Sequence, residues 1–245
     1  MKRDSIVTNH HLTFDLDWCS DDTLDYVSSL LLQANKKATW FATHKSAAVD
    51  DLSSKSCFEV GIHPNFLEGS SHGTSYSKVL DHITGLFPHS KAMRTHALYQ
   101  SSPILHESTS KYGISIDVSL LLQYHPNLQV LIPMGFGGRK MHRVPYFWED
   151  DTEMLNDYTD FDFKDRRHHC EGLKIYDFHP VHVALNISSF DDYMLLKEKK
   201  PISEWDRKFI LKHQKKGKGA LSFLEDMIGH IQGEMTISQI VEQEI

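Results

Sequence analysis

Leu12-Thr13-Phe14-Asp15-Leu16-Asp17 has the period-two pattern of a β-strand, so Asp15 and Asp17 share one face and Phe14 and Leu16 the other. The chain then turns helical. Ser20 suits the cap, Asp21 and Asp22 suit the first turn, and Leu24, Val27, Leu30 and Leu31 recur at helical spacing. Lys36 and Lys37 suit the helix end, and Ala38-Thr39-Trp40-Phe41-Ala42 reads as a second strand. Strand–helix–strand recurs loosely downstream. Strands are predicted at 58–62, 114–118, 130–132 and 173–178, and helices at 76–87, 204–215 and 221–231. Such alternation predicts an α/β fold, a largely parallel sheet or barrel with outer helices. The chain carries no internal repeat or low-complexity linker, so residues 1–245 are expected to form a single catalytic domain. Gly135-Phe136-Gly137-Gly138-Arg139 lacks the strand-then-helix context of a phosphate-binding fingerprint and reads as a loop.

Composition narrows the function. The 245 residues are 40% hydrophobic, enough for a sizeable core. Lys+Arg total 26 against 33 Asp+Glu, a net charge of -7 that disfavours nucleic acid as a partner. The basic run Lys215-Lys216-Gly217-Lys218 reads as a solvated turn. No apolar stretch follows Met1-Lys2-Arg3-Asp4, and none is long enough to span a bilayer. Cys19, Cys57 and Cys170 are an odd, scattered set with no Cys-x-x-Cys spacing, which fits a reducing compartment. A cytoplasmic location is therefore expected. The 17 histidines are roughly three times the usual share, so imidazole chemistry becomes the question.

Polar residues gather at strand ends. Two carboxylates on one buried face, Asp15 and Asp17, repel unless a proton or cation lies between them. His63 ends the 58–62 strand, and His72 follows in its loop. A lone histidine there is more often structural. Two of them with an Asp-x-Asp strand suggest one carboxylate and two imidazoles on a catalytic metal. Met93-Arg94-Thr95-His96 follows another short strand, and an arginine beside a carboxylate orients it. Pro145-Tyr146-Phe147-Trp148-Glu149-Asp150 mixes rings with acids, which suits a sugar but also suits a hydrophobic cover. Asp177-Phe178-His179-Pro180-Val181-His182 exposes His179 at a strand tip, a position for general acid work. No Gly-x-Ser-x-Gly elbow supports serine catalysis.

In this order the blocks Thr13–Asp17, Gly61–Asn65 running to His72, Arg94–His96, Pro145–Asp150 and Phe178–Pro180 resemble the polysaccharide deacetylases of the NodB-homology group, carbohydrate esterase family 4. The nearest likeness is to the WbmS-like branch linked with lipopolysaccharide O-antigen modification. The resemblance implies a distorted (β/α) barrel of about seven strands, here with extra C-terminal helices. It implies a metal-dependent hydrolase that removes an N-acetyl group from a sugar, with zinc expected first and cobalt or manganese as alternatives. Carried onto this chain, Asp17, His63 and His72 are the expected metal ligands. Asp15 is the expected base, Arg94 its orienting partner and His179 the acid. His96, Trp148, Glu149 and Asp150 are expected to meet the sugar. Two departures stand out. Leu16 separates aspartates that the family keeps adjacent, so base and ligand roles could be exchanged. Leu67 also stands where the family's second metal histidine falls, so His72, water or Asp15 could complete the site. Hydrolysis of other C–N bonds, such as cyclic ureides or imides, and a non-catalytic carbohydrate-binding role are the alternatives.

Overall fold

A computed structural model describes residues 9–136, 138–156 and 160–243. The start Met1-Lys2-Arg3-Asp4 and Gly137 of the glycine-rich stretch lie outside the described residues. Nine strands form one curled, half-barrel sheet. They are β1 (His10–Asp15), β2 (Ala38–Ala42), β3 (Phe58–Ile62), β4 (Ala92–Met93), β5 (Ile116–Asp117), β6 (Leu131–Phe136), β7 (Arg139–Arg143), β8 (Trp148–Glu149) and β9 (Lys174–Phe178). Their spatial order is β6-β7-β5-β4-β3-β2-β1-β9-β8, and every pairing is parallel except β6 with β7.

The count is nine where about seven were expected, and the glycine-rich stretch explains part of the difference. β6 and β7 pair antiparallel there, with Phe136 opposite Arg139 and Gly135 opposite Lys140. Gly138, at φ +83°, supplies the left-handed residue that their tight connection uses. The two-residue strand β8 accounts for the rest.

Helix α1 (Asp21–Gln33) starts as the sequence indicates, with the Ser20 hydroxyl accepting from the Thr23 amide at 3.2 Å. Lys36 and Lys37 do not cap its end. Their ammonium groups reach the Ile231 carbonyl (2.6 Å) and the Gln239 side chain (3.2 Å), tying β2 to the C-terminal region. Helices α2 (Ala47–Ser54) and α4 (Ser102–Ser110) are short and carry few apolar residues, so the pattern does not announce them. α3 (Tyr76–Leu86) matches the 76–87 reading almost end to end. Six helices complete the chain: α5 (Asp150–Met154), α6 (Pro180–Leu185), α7 (Phe190–Lys199), α8 (Arg207–His213), α9 (Ala220–His230) and α10 (Ile237–Gln243).

Strand alternation sorts the core into two layers. Leu12, Phe14, Trp40, Ile62 and Phe178 point toward the helices, and Phe14 stacks on Trp40 with ring centres 4.2 Å apart. Each such buried ring stabilises the fold by roughly 2–3 kcal/mol. The opposite faces carry Phe41, Ala92, Ile116, Val118, Tyr146 and Ile175 into the concave side. Ile237, Ile240 and Val241 of α10 pack on that layer. They are anchored where the Met235 amide donates to His11 and the Ile237 amide to Thr39 (both 2.9 Å). His11 and Thr39 lie early in their strands, so α10 closes the end away from the strand tips. Gly61 sits on the concave face opposite Phe41, and a Cβ there would meet the Phe41 ring at 2.6 Å.

Two predictions follow from this packing. Gly61→Ala should lower the unfolding free energy by about 1–3 kcal/mol, because the ring it strikes is itself closely packed; urea titration reads it. Two buried histidines make folding pH-sensitive. Burial pushes His168 down to about 3, and burial with His10 beside it pushes His11 down to about 4. Unfolded histidine titrates near ~6.5. The unfolded chain therefore takes up protons first, and the stabilisation, complete above pH ~6.5, is lost as pH falls toward about 4. The urea midpoint should drop across that window, and His168→Asn should flatten the drop.

Candidate metal centre and acid–base pair

The inward-facing column of each strand turns polar at its C-terminal tip. β1 contributes Thr13 and Asp15, and β9 contributes Asp177 with His179 just beyond it. His63 follows β3, and Arg94 follows β4. Arg94 is fully buried. Its Nη1 donates to Asp15 Oδ1 at 3.0 Å and, by a very short contact, to Asp177 Oδ1. Nη2 donates to Thr13 Oγ1 (2.9 Å) and Nε to the Val118 carbonyl (3.2 Å). The rings of Phe41 and Tyr146 cover the guanidinium at 4.6 and 4.4 Å. Burial pushes the Asp15 carboxyl up to about 6 against the pull of Arg94. Asp177 is also raised by burial, although Arg94 lies beside it, and its Oδ2 has no hydrogen-bond partner.

Asp17 lies past the end of β1 rather than within it. Asp17 and Trp18 are both left-handed (φ 44° and 56°), a conformation that non-glycine residues adopt at a cost of about 1–3 kcal/mol each. The turn is closed by the Cys19 amide on the Leu16 carbonyl (2.8 Å) and the Trp18 amide on Thr43 Oγ1 (3.0 Å). It aims Asp17 Oδ1 at His63 Nε2 (3.3 Å) and His96 Nδ1 (3.0 Å). Those two nitrogens are 3.3 Å apart. His63 donates from Nδ1 to the Arg94 carbonyl at 2.8 Å, which leaves the Nε2 lone pair facing Asp17. Burial lowers the His63 imidazole against the pull of Asp17, favouring the neutral form that binds metal. Asp17 itself, despite burial, is held well below the carboxylate range by the His63 and His96 imidazoles beside it.

His72 lies outside this trio. Its Nε2 donates to the Thr43 carbonyl (2.9 Å) and its Nδ1 accepts from the Asn65 amide (3.1 Å), so neither nitrogen is free for a cation. The position expected for His72 is taken by His96, which the sequence reading had assigned to the sugar. His72 instead joins the loops after β2 and β3, and the Trp18 ring packs 5.3 Å from it.

On the other side, Asp150 accepts from His179 twice, from the ring Nδ1 (2.7 Å) and the backbone amide (2.8 Å). His182 Nδ1 lies 3.2 Å from its second oxygen. Burial opposes ionisation of Asp150, but His182 and His179 hold it well below the usual range. Burial likewise pulls His179 down, yet Asp151 and Asp150 raise it well above an ordinary histidine. His179 Nε2 faces Asp17 Oδ2 at 3.7 Å.

The expected sugar contacts are only partly placed to act. Asp150 is wholly buried and bonded to His179. Trp148 is wholly buried too, stacked 4.7 Å from Phe223 with its indole donating to Glu153 (3.3 Å). Both serve the interior: on the edge strand β8, Trp148 stands level with Tyr176 and packs in the helix-side core, and Asp150 begins α5 just after it. Glu149 remains half-buried beside the site. Asp177 was quoted in the sequence but given no role. Its position two residues before His179, hence on the same face, was the available signal.

Among the described residues, three clusters bring donor atoms within 4.8 Å of one another: Asp17–His63–His96, Asp150–Asp151–His179–His182 and Asp15–Asp177–His179. The second spends both Asp150 oxygens on histidines, and the third shares the Arg94 positive charge. Asp17–His63–His96 fits a cation best, with one carboxylate, two imidazoles and an open side.

A family model described as WbmS-like polysaccharide deacetylase matches residues 12–197. The chain belongs to this family. It is also similar to a solved structure from Bordetella bronchiseptica, a protein assigned as a polysaccharide deacetylase involved in O-antigen biosynthesis. The identity is 31%, with 90% of this chain and 89% of that chain covered and a TM-score of 0.78. A 4-α-glucanotransferase from Thermococcus litoralis shares the fold alone. The likeness has 14% identity and a TM-score of 0.54, and covers 97% of this chain and 38% of that enzyme. No curated protein matches the chain in sequence. Among the described residues of this deacetylase-family chain, no helix is long and apolar enough to cross a membrane.

Because His72 bonds two backbone groups of the site's own loops, His72→Ala should cost about 2 kcal/mol of stability by urea titration. It should leave bound metal near the wild-type stoichiometry.

Proposed function

We propose that the chain is a metal-dependent N-deacetylase that acts on an acylated sugar in surface-polysaccharide assembly, O-antigen being the model drawn from the Bordetella relative. One observation carries this reading. The Asp17–His63–His96 donors are flanked by Asp15, 3.6 Å from His63, and by His179, 3.7 Å from Asp17. A candidate base and a candidate acid therefore both adjoin one cation-sized position.

Asp17, His63 and His96 would hold the cation, and zinc suits a carboxylate with two imidazoles. When bound, it would supply Lewis-acid polarisation of the acyl carbonyl and of the attacking water. Asp15 takes the water proton as oxygen adds to the acyl carbon. Arg94 fixes the Asp15 carboxylate through Oδ1 and leaves Oδ2 toward the reaction. As the C–N bond breaks, His179 gives its Nε2 proton to the departing amine, and Asp150 steadies the resulting imidazole through Nδ1. The products are a carboxylate and a free amino sugar. Cys19, Cys57 and Cys170 are free thiols, which supports a reducing compartment and a cytoplasmic sugar intermediate as substrate.

Elemental analysis should find about one divalent ion per chain, lost in His63→Ala and in His96→Ala. His179→Ala should keep the metal and lose about 10²–10⁴-fold in turnover on N-acetyl sugars. Full metal occupancy in His63→Ala would overturn the ligand set, and a metal-free wild type after zinc, cobalt or manganese reconstitution would overturn the mechanism.

A further inference from the structure

Charge is unevenly spread along the chain. Nine of its 26 lysines and arginines fall within residues 197–218, against three of its 33 acids. A chain of net charge -7 therefore carries a segment with six excess positive charges. That segment runs from the end of α7 through α8, and the two helices border a concavity of about 510 Å³. α7 brings Lys199 and its cap Lys200 to it, and α8 brings Lys208, Lys212 and His213. Burial, then Lys212 and Lys199, lower the His213 imidazole, so cations from both helices meet there.

Little on the protein neutralises this group. Asp206 is the one acid among the described residues that line the concavity. It pairs with Lys200 at 3.5 Å and caps α8 by accepting from the Phe209 amide at 2.7 Å. Lys199 and Lys212 stand in no ion pair among the described residues, whereas Lys215 pairs with Asp192, and Lys218 with Asp160 and Asp162. Cations crowded in this way attract an anion from outside. Apolar side chains share the same helices. Leu195, 56% exposed, stands one turn before Lys199, and Leu211, 61% exposed, stands three residues after Lys208. Exposed leucines among lysines are what an interfacial helix presents to a lipid headgroup layer.

We propose that α7 and α8 form a docking surface for an anionic phospholipid bilayer, with the lysines meeting headgroup phosphates and Leu195 and Leu211 entering the headgroup–acyl boundary. The combination of charge with exposed leucine decides the occupant. A nucleic acid or an acidic polysaccharide would use the charge and leave the leucines in water. Ring stacking is not on offer, because Phe209 is packed on Trp205 (5.3 Å) and His213 (4.4 Å). The surface also adjoins the opening at the strand tips. Lys197 lies over the Tyr193 ring (5.4 Å), and Tyr193 packs edge-on against His182 (4.6 Å), the neighbour of Asp150. Docking holds that opening close to the bilayer. The inference goes beyond the deacetylase reading and does not depend on it, since no metal donor takes part.

Sedimentation of the full chain with sucrose-loaded vesicles tests this. Vesicles of equal parts phosphatidylglycerol and phosphatidylcholine should carry the protein down, and vesicles of phosphatidylcholine alone should not. Lys199→Glu with Lys208→Glu and Lys212→Glu should weaken partitioning by at least about 10-fold. Lys199→Ala with Lys212→Ala carries the same test if the triple variant does not fold by circular dichroism. Leu195→Ser with Leu211→Ser should also weaken partitioning while leaving retention on heparin unchanged. No partitioning onto the anionic vesicles, equal partitioning onto the neutral ones, or partitioning that survives the lysine variants each overturns the docking surface. Partitioning that the leucine variant leaves intact would make the patch a general polyanion site and overturn the bilayer reading. Self-association without vesicles, abolished by the lysine variants, would assign the patch to a second copy of the chain and overturn it equally. Metal-stripped protein should partition as the loaded protein does, so a failed metal assay and a failed vesicle assay are told apart.

Discussion

A guanidinium sealed from water sets the terms for the rest of the molecule. Arg94 cannot lose its charge, so its surroundings must satisfy it. Two carboxylates, a threonine hydroxyl and a backbone carbonyl do so, and two aromatic faces close over the plane. A buried ion pair of this kind is weak evidence of net stability, whereas leaving either partner alone in the interior is expensive, about 3–5 kcal/mol. The cluster therefore acts mainly as a constraint. It fixes β1, β4 and β9 relative to one another at one depth in the sheet, with Asp15 and Asp177 on those strands and His179 just past the tip of β9.

Parallel register carries that constraint outward. Asp15 is level with Phe41, Phe41 with Gly61, and Phe14 with Phe178. Every second residue faces inward, and the first one to three residues past the tips of β1, β3, β4 and β9 bring Asp17, His63, His96 and His179 around the same opening. Two short left-handed segments then trim the aim. Asp17–Trp18 and Ala97–Leu98 bend the chain back so that a carboxylate and an imidazole converge on His63. Strain at these turns is offset by the Thr43 hydroxyl, the Trp18 ring packing and the His96–Pro64 backbone bond.

The fold class was legible because its signal is local. Alternation in Thr13–Asp17 and Ala38–Ala42 and the stripe in Tyr76–Phe87 report directly on backbone geometry. Asp15, Asp17, His63, Arg94 and His179 were legible as spatial neighbours for the same reason, each standing at or just past a strand end. Trp148 and Asp150 were misplaced because their segment reads the same whether its rings face a sugar or Phe223, and only the packing of β8 against β9 decides that. His72 and His96 exchanged places because loop length says how far a side chain reaches but not where its hydrogen bonds go. The hairpin at Gly135–Arg139 was hidden because glycine permits a strand without favouring it.

That exchange has a structural logic. A histidine with both nitrogens bonded to backbone is a staple, and one with a single backbone bond is a donor aimed by it. His72 is the first kind and His63 the second. His179 repeats the second pattern with Asp150 in place of a carbonyl. Burial lowers His63 against the pull of Asp17 and favours its neutral ring, whereas the Asp151 and Asp150 carboxylates raise His179 against burial and keep a proton on its ring. One side-chain type thus serves as a backbone staple at His72 and, at His63 and His179, as a ring held through Nδ1. The group bonded to each Nδ1 sets the direction in which the other ring nitrogen of His63 and of His179 faces.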